Sequence, residues 1–137
     1  HQLNDNGLRV SLFIEPDLRQ IETALKLEVP VIELHTGTYS ELRAGDKQNE
    51  LKRIQRAVDY ANELGIECHA GHGLNYENVG PIASIKKITE LNIGHFLIGE
   101  AIFIGLTNAI DKMKRIMAEA RKVEVSNSDS PYNKRAL

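Results

Sequence analysis

Two histidines and two glycines fall within the five residues from His69 to Gly73, HAGHG. Packing does not select such a cluster, because glycine weakens a strand interior and histidine buries less apolar surface than leucine. Glycines let backbone N–H groups approach an anion, and an imidazole with an unperturbed pKa near ~6.5 gives or takes a proton at neutral pH. His72, flanked by Gly71 and Gly73, therefore reads as a proton donor beside a phosphate. The plainer alternative is a loop histidine bonded to backbone or water. Gly94 and His95 repeat the pairing one strand later, so both pairs are expected to face one phosphate. Glu100, a poor neighbour for an anion, is expected to point away.

Glu33 lies inside the run VIELH. Glutamate is seldom buried without a partner, so this position calls for a protein cation or a substrate. His35 and His69 read more simply as hydrogen-bonded interior histidines. Together with Glu33 and His72 they are also ligand types that could converge on zinc, which keeps a metal-dependent hydrolase or isomerase open. The spacing is not diagnostic: there is no HExxH, and Cys68 belongs to the opposite strand face from His69.

These residues need strands to carry them. LRVSLFI after Gly7, VIELH after Pro30 and IECHA after Gly65 are β-rich runs of strand length, and LNIGHFLIG supplies a fourth, ending at Gly94 or Gly99. Between them Leu18, Ile21, Ala24 and Leu25 recur at helical spacing, as do Leu51, Ile54, Val58 and Ala61, the latter series stopped by Gly65. A polar loop is expected from Gly37 through Asp46, and short helical pieces between Asn78 and Glu90, where Gly80 and Pro81 disfavour one continuous helix. Leu106, Ile110, Met113, Met117 and Ala120 mark a last helix. From Val123 the composition turns polar, which predicts a main unit over residues 1–122 and a mobile tail over 123–137.

Strands alternating with helices imply a parallel sheet with right-handed crossovers. A doubly wound sheet would bury strands that are apolar on both faces. Here Glu33 and His35 alternate with Ile32 and Leu34, and Glu67 and His69 with Cys68 and Ala70. One apolar and one ionisable face suits a barrel with a polar upper interior, and four units make half of a (β/α)8 barrel of about 250 residues. In such barrels phosphate sites form after the seventh and eighth strands with a short extra helix.

The 137 residues, 42% hydrophobic and 26% charged, suit one globular unit, and a net charge of -2 offers no footprint for nucleic acid or an anionic membrane. The longest apolar run, HFLIGEAIFIGL, is too short to span a bilayer. A lone cysteine, with no secretion signal, predicts a cytoplasmic setting. The chain opens at His1 on HQLNDNG, which reads as the end of a helix with its Asn-Gly turn, so an upstream portion is expected.

VSLFIEPD, VIELHTGTY, AGHGLNYENV and ELNIGHFLIGEAIFIGL, in this order and spacing, closely resemble the carboxyl-terminal half of the pyridoxine 5'-phosphate synthase family, from about Gly7 through Arg121. The resemblance implies a (β/α)8 TIM barrel of which this chain supplies about the last four βα units. It also implies an enzyme that condenses 1-deoxy-D-xylulose 5-phosphate with 3-amino-2-oxopropyl phosphate to form pyridoxine 5'-phosphate, phosphate and water. By position, His72 corresponds to a proton donor and Glu33 to a transition-state stabiliser, while Gly73, Gly94 and His95 correspond to positions that bind the aminoketone phosphate. No metal or organic cofactor, nucleic acid or membrane is implied, and the complete enzyme is expected to be a homo-oligomer. The family's amino-terminal motifs do not occur here, so this segment alone is expected to lack a complete site; a non-catalytic phosphate-binding half barrel is the remaining alternative.

Overall fold

The computed structural model describes residues 2–128. Four strands, β1 (Ser11–Ile14), β2 (Val31–His35), β3 (Glu67–Gly71) and β4 (Ile88–Asn92), form one parallel sheet in the order β1-β2-β3-β4. A doubly wound sheet reverses its strand order at a switch point. This sheet does not; each strand lies beside its predecessor.

From β1 to β3 the register sorts the side chains as the alternation predicts, and at β4 a shift between Cys68 and His69 inserts Thr89, so that Ile88 and Glu90 fall on opposite faces. Phe13, Glu33, His69 and Glu90 are neighbours across the ladder and share one face. Ile32, Leu34, Cys68, Ala70 and Ile88 face the other way, into a core with Ile21 and Ala24 of α2 (Leu18–Lys26) and Ile54, Val58 and Ala61 of α4 (Ala44–Glu63). Asp17 starts α2 by accepting from the amides of Arg19 and Gln20, so Pro16 stands just ahead of the cap. Gly65, at φ +77°, follows the end of α4 in a conformation glycine adopts freely. A short α1 (Gln2–Asp5) precedes β1.

Three segments differ from the sequence reading. The expected polar loop after Gly37 contains a short helix, α3 (Gly37–Glu41), because Tyr39 is drawn into the core and its hydroxyl donates to the Asn78 carbonyl at 2.9 Å. The fourth strand is ITELN, which reaches only Asn92; HFLIGEAIFI is instead a helix, α6 (His95–Ile104). A continuous apolar run carries no period that separates the two, and ten residues exceed the usual strand. Before β4, α5 (Val79–Ser84) tolerates Pro81 because it falls in the first turn, where the missing N–H has no partner to lose. The last helix, α7 (Leu106–Ser128), covers the first six residues of the expected tail, and the rest of it lies outside the described residues.

Cys68 shows how dry the helix-facing layer is. Burial, assisted by the nearby Glu67 charge, pushes its thiol up to about 11. At pH 8 to 9 the folded thiol stays protonated, so Ellman's reagent should label it only at the rate of unfolding and at once in denaturant. Above the ordinary thiol range the unfolded chain ionises first, so the contribution of Cys68 to stability declines as pH rises toward 11.

Candidate active site

The carboxyl ends of β2 and β3 run out side by side into Thr36 and His72. The Thr36 amide donates to the Gly71 carbonyl at 2.8 Å. Its buried hydroxyl stands 2.7 Å from both the Gly71 and His72 carbonyls, sharing one proton between them, and Ser40 Oγ lies 3.4 Å from the His72 oxygen. These bonds hold His72 at φ +82°, a conformation that costs a side-chain-bearing residue about 1–3 kcal/mol. The ring is exposed and makes no hydrogen bond among the described residues, which leaves both nitrogens for a ligand.

The loop beyond is fixed by reciprocal bonds. Asn78 accepts from the Asn75 amide at 2.7 Å and donates to the Gly73 carbonyl at 3.1 Å, while the Asn75 side chain accepts from the amides of Glu77 and Asn78. Gly73, at φ +76°, has no room for a side chain, since a Cβ would stand 2.7 Å from that of Ser40. Across the gap Gly94 caps α6 and His95 begins it. The first intrahelical bond runs from the Ile98 amide to the Gly94 carbonyl, so the preceding amides lack intrahelical acceptors and are available to an anion.

A cavity of about 560 Å³ opens between these elements, and Glu33, His72, Gly73, Gly94 and His95 all line it. Gly71 makes space for Glu33, whose carboxylate occupies the volume a side chain on residue 71 would need. That carboxylate has no hydrogen-bond or ion-pair partner among the described residues. Glu100 does not line the cavity. It lies near Tyr76, whose hydroxyl is raised above its ordinary range by burial first and by the Glu100 charge second.

The other two histidines among the described residues are hydrogen-bonded elsewhere. His69 Nε2 meets Glu67 at 2.8 Å, with Glu90 3.5 Å from Nδ1. The His69 bond, then one from Thr89, holds the Glu67 carboxyl below its usual range, and Arg9 bonds the same group. His35 Nδ1 meets Glu15 at 2.7 Å. The four residues weighed as metal ligands are thus divided, and among the described residues no three His, Cys, Asp or Glu side chains are grouped so as to hold a metal ion. Sequence reading passed over Thr36, Asn78 and the cavity walls Phe13, Asn92 and Phe96. A hydroxyl directly after a strand and before glycine, as in ELHTG, is the signal that could have found Thr36.

The family model described as pyridoxal phosphate biosynthesis protein PdxJ matches residues 1–119. The chain belongs to that family. Among its relatives, the pyridoxine 5'-phosphate synthase of Rhodospirillum rubrum is 56% identical over 119 residues, covering 86% of this chain and 48% of the relative. That of Zymomonas mobilis subsp. mobilis is 59% identical over 115 residues, 84% of this chain and 45% of the relative. That of Sulfurihydrogenibium sp. is 48% identical over 120 residues, 88% and 49% respectively. The chain spans about half the length of the curated relatives it matches. The PdxJ match takes in every residue that lines the cavity.

Because His72 is strained and exposed, His72→Gly should leave the fold as stable as before or raise it by up to about 1 kcal/mol. His72→Val, branched at Cβ, should lower it by about 1–3 kcal/mol. Urea unfolding midpoints of the two variants check the order.

Proposed function

We propose that this chain carries the phosphate-holding and proton-donating part of a pyridoxine 5'-phosphate synthase, as the last four βα units of a (β/α)8 barrel. The observation that carries the reading is the single cavity shared by Glu33, His72, Gly73, Gly94 and His95. Family membership and the names of the relatives support a pyridoxine 5'-phosphate synthase, and in this reading the reaction is the condensation of 1-deoxy-D-xylulose 5-phosphate with 3-amino-2-oxopropyl phosphate, with release of phosphate and water.

The chemistry needs proton transfers more than a strong nucleophile. Joining an amine to a ketone and closing the ring requires carbonyl addition, loss of hydroxide as water and removal of C–H protons. In this reading the aminoketone phosphate sits against the backbone of Gly73 and Gly94 and the amides that open α6, with His95 beside it. His72, with both ring nitrogens unbonded, protonates the departing oxygen. Glu33 offers its unpaired carboxylate to the positive charge that develops when the nitrogen-bearing carbon loses that oxygen. The ionisable face of the sheet and the open edges of β1 and β4 are where four further βα units would complete the barrel and the site. Phosphorylated substrates accord with a cytoplasmic setting, and among the described residues no helix is long and apolar enough to cross a membrane. A homo-oligomeric complete enzyme belongs to the same proposal.

His72→Asn in the complete barrel tests the reading. Asparagine tolerates positive φ, so circular dichroism should be unchanged while product formation falls by about 10²- to 10⁴-fold. Unchanged turnover would remove His72 from the chemistry. Phosphate binding without turnover, even in the complete barrel, would favour the non-catalytic alternative.

A further inference from the structure

The ring of His72 is exposed and makes no hydrogen bond among the described residues, and its backbone is strained, yet a proton donor must present one nitrogen in one direction. Its only ring neighbour among the described residues is His35: the two centroids are 4.7 Å apart and the planes tilt by 55°. His35 is itself held by three further neighbours. Glu15, just past the end of β1, meets Nδ1 at 2.7 Å. Phe13 packs edge-on at 5.1 Å on the same ring. Gly37 lies against Nε2, and a Cβ there would stand 2.6 Å from that nitrogen and 3.0 Å from the His72 ring.

Glu15 in turn is fixed from α4. Arg53 reaches its second oxygen at 3.3 Å and the Pro16 carbonyl at 3.2 Å, and makes a two-point bond with Glu50 at 2.7 and 2.9 Å. The Glu50 bond, the largest cause, keeps the guanidinium above its already high range, so Arg53 is a permanent cation. A carboxylate that accepts from Nδ1–H selects the tautomer with its proton on that nitrogen, and orients the plane of the ring.

We infer that His35 is a positioning residue for His72, and that Glu15, clamped by Arg53, sets the tautomer and ring plane of His35. The inference rests on the proton-donor reading of His72. It links the ends of three consecutive strands: Glu15 follows β1, His35 ends β2 and His72 follows β3. His35 does not line the cavity, so it acts through the neighbouring ring rather than on substrate.

The test uses Glu15→Gln and His35→Leu in the complete barrel. Ring-nitrogen NMR should find the His35 proton on Nδ1 in the parent and both tautomers in Glu15→Gln. Proton contacts between the two rings and a single His72 rotamer should give way to rotamer averaging in both variants. Turnover, kcat, should fall about ten- to hundredfold, with KM for the aminoketone phosphate unchanged because the amides that hold it are untouched. His35→Phe, which keeps an aromatic face toward His72, should recover part of the loss seen with leucine. A fixed His72 rotamer together with parental kcat in both variants would overturn the inference while leaving a His72→Asn defect intact. A parent without condensing activity would instead count against the proposed function, and the NMR coupling would still be read. If His35→Leu fails to fold, Glu15→Gln, a change at a half-exposed side chain, decides alone.

Discussion

The pairing of β2 with β3 is the constraint on which everything else depends. Because strand side chains alternate, one register places Ile32, Leu34, Cys68 and Ala70 in the helix-facing core and Glu33 and His69 on the opposite face. A slip of one residue would exchange the two sets, exposing the core and burying carboxylates. The core and the chemistry are therefore secured by the same hydrogen bonds. The ladder ends where Thr36 donates to Gly71, and the site begins at the next residue.

That boundary also marks a change in how energy is distributed. Below it the β2–β3 ladder runs in unbroken register and its apolar face is dry. Above it His72 sits in an unfavourable backbone conformation and Glu33 has no protein partner among the described residues, both costly in isolation. Buried polar groups offset those costs: Thr36 through its hydroxyl, Asn78 through both ends of its amide, and Tyr39 through its phenol. None of the three touches the cavity. They hold the groups that do.

Much of this was readable from the residues alone, and for a physical reason. Period-two alternation in VIELH and IECHA is a direct record of two-sided burial, so β2 and β3 and the split between their faces followed from it. The glycines at 71 and 73 marked places with no room for a side chain, and the histidines that follow Gly71 and Gly94 lie on one cavity. What could not be read were features decided across the chain. HFLIGEAIFI has no period, so only tertiary placement makes it α6. Tyr39 looked like loop until its hydroxyl found Asn78, and the Glu15–His35 pair joins residues twenty apart. Pairwise bonds between distant segments leave no periodic trace.

The helix α6 that resolved the ambiguous apolar run has no buried residue, and Ile98, Ile102 and Phe103 stand 62%, 80% and 85% exposed. Water wets such a surface poorly, and anything that covers it in the folded state raises stability by mass action. A melting temperature recorded for this polypeptide therefore describes the solution as much as the sequence: concentration, additives and detergent all enter it.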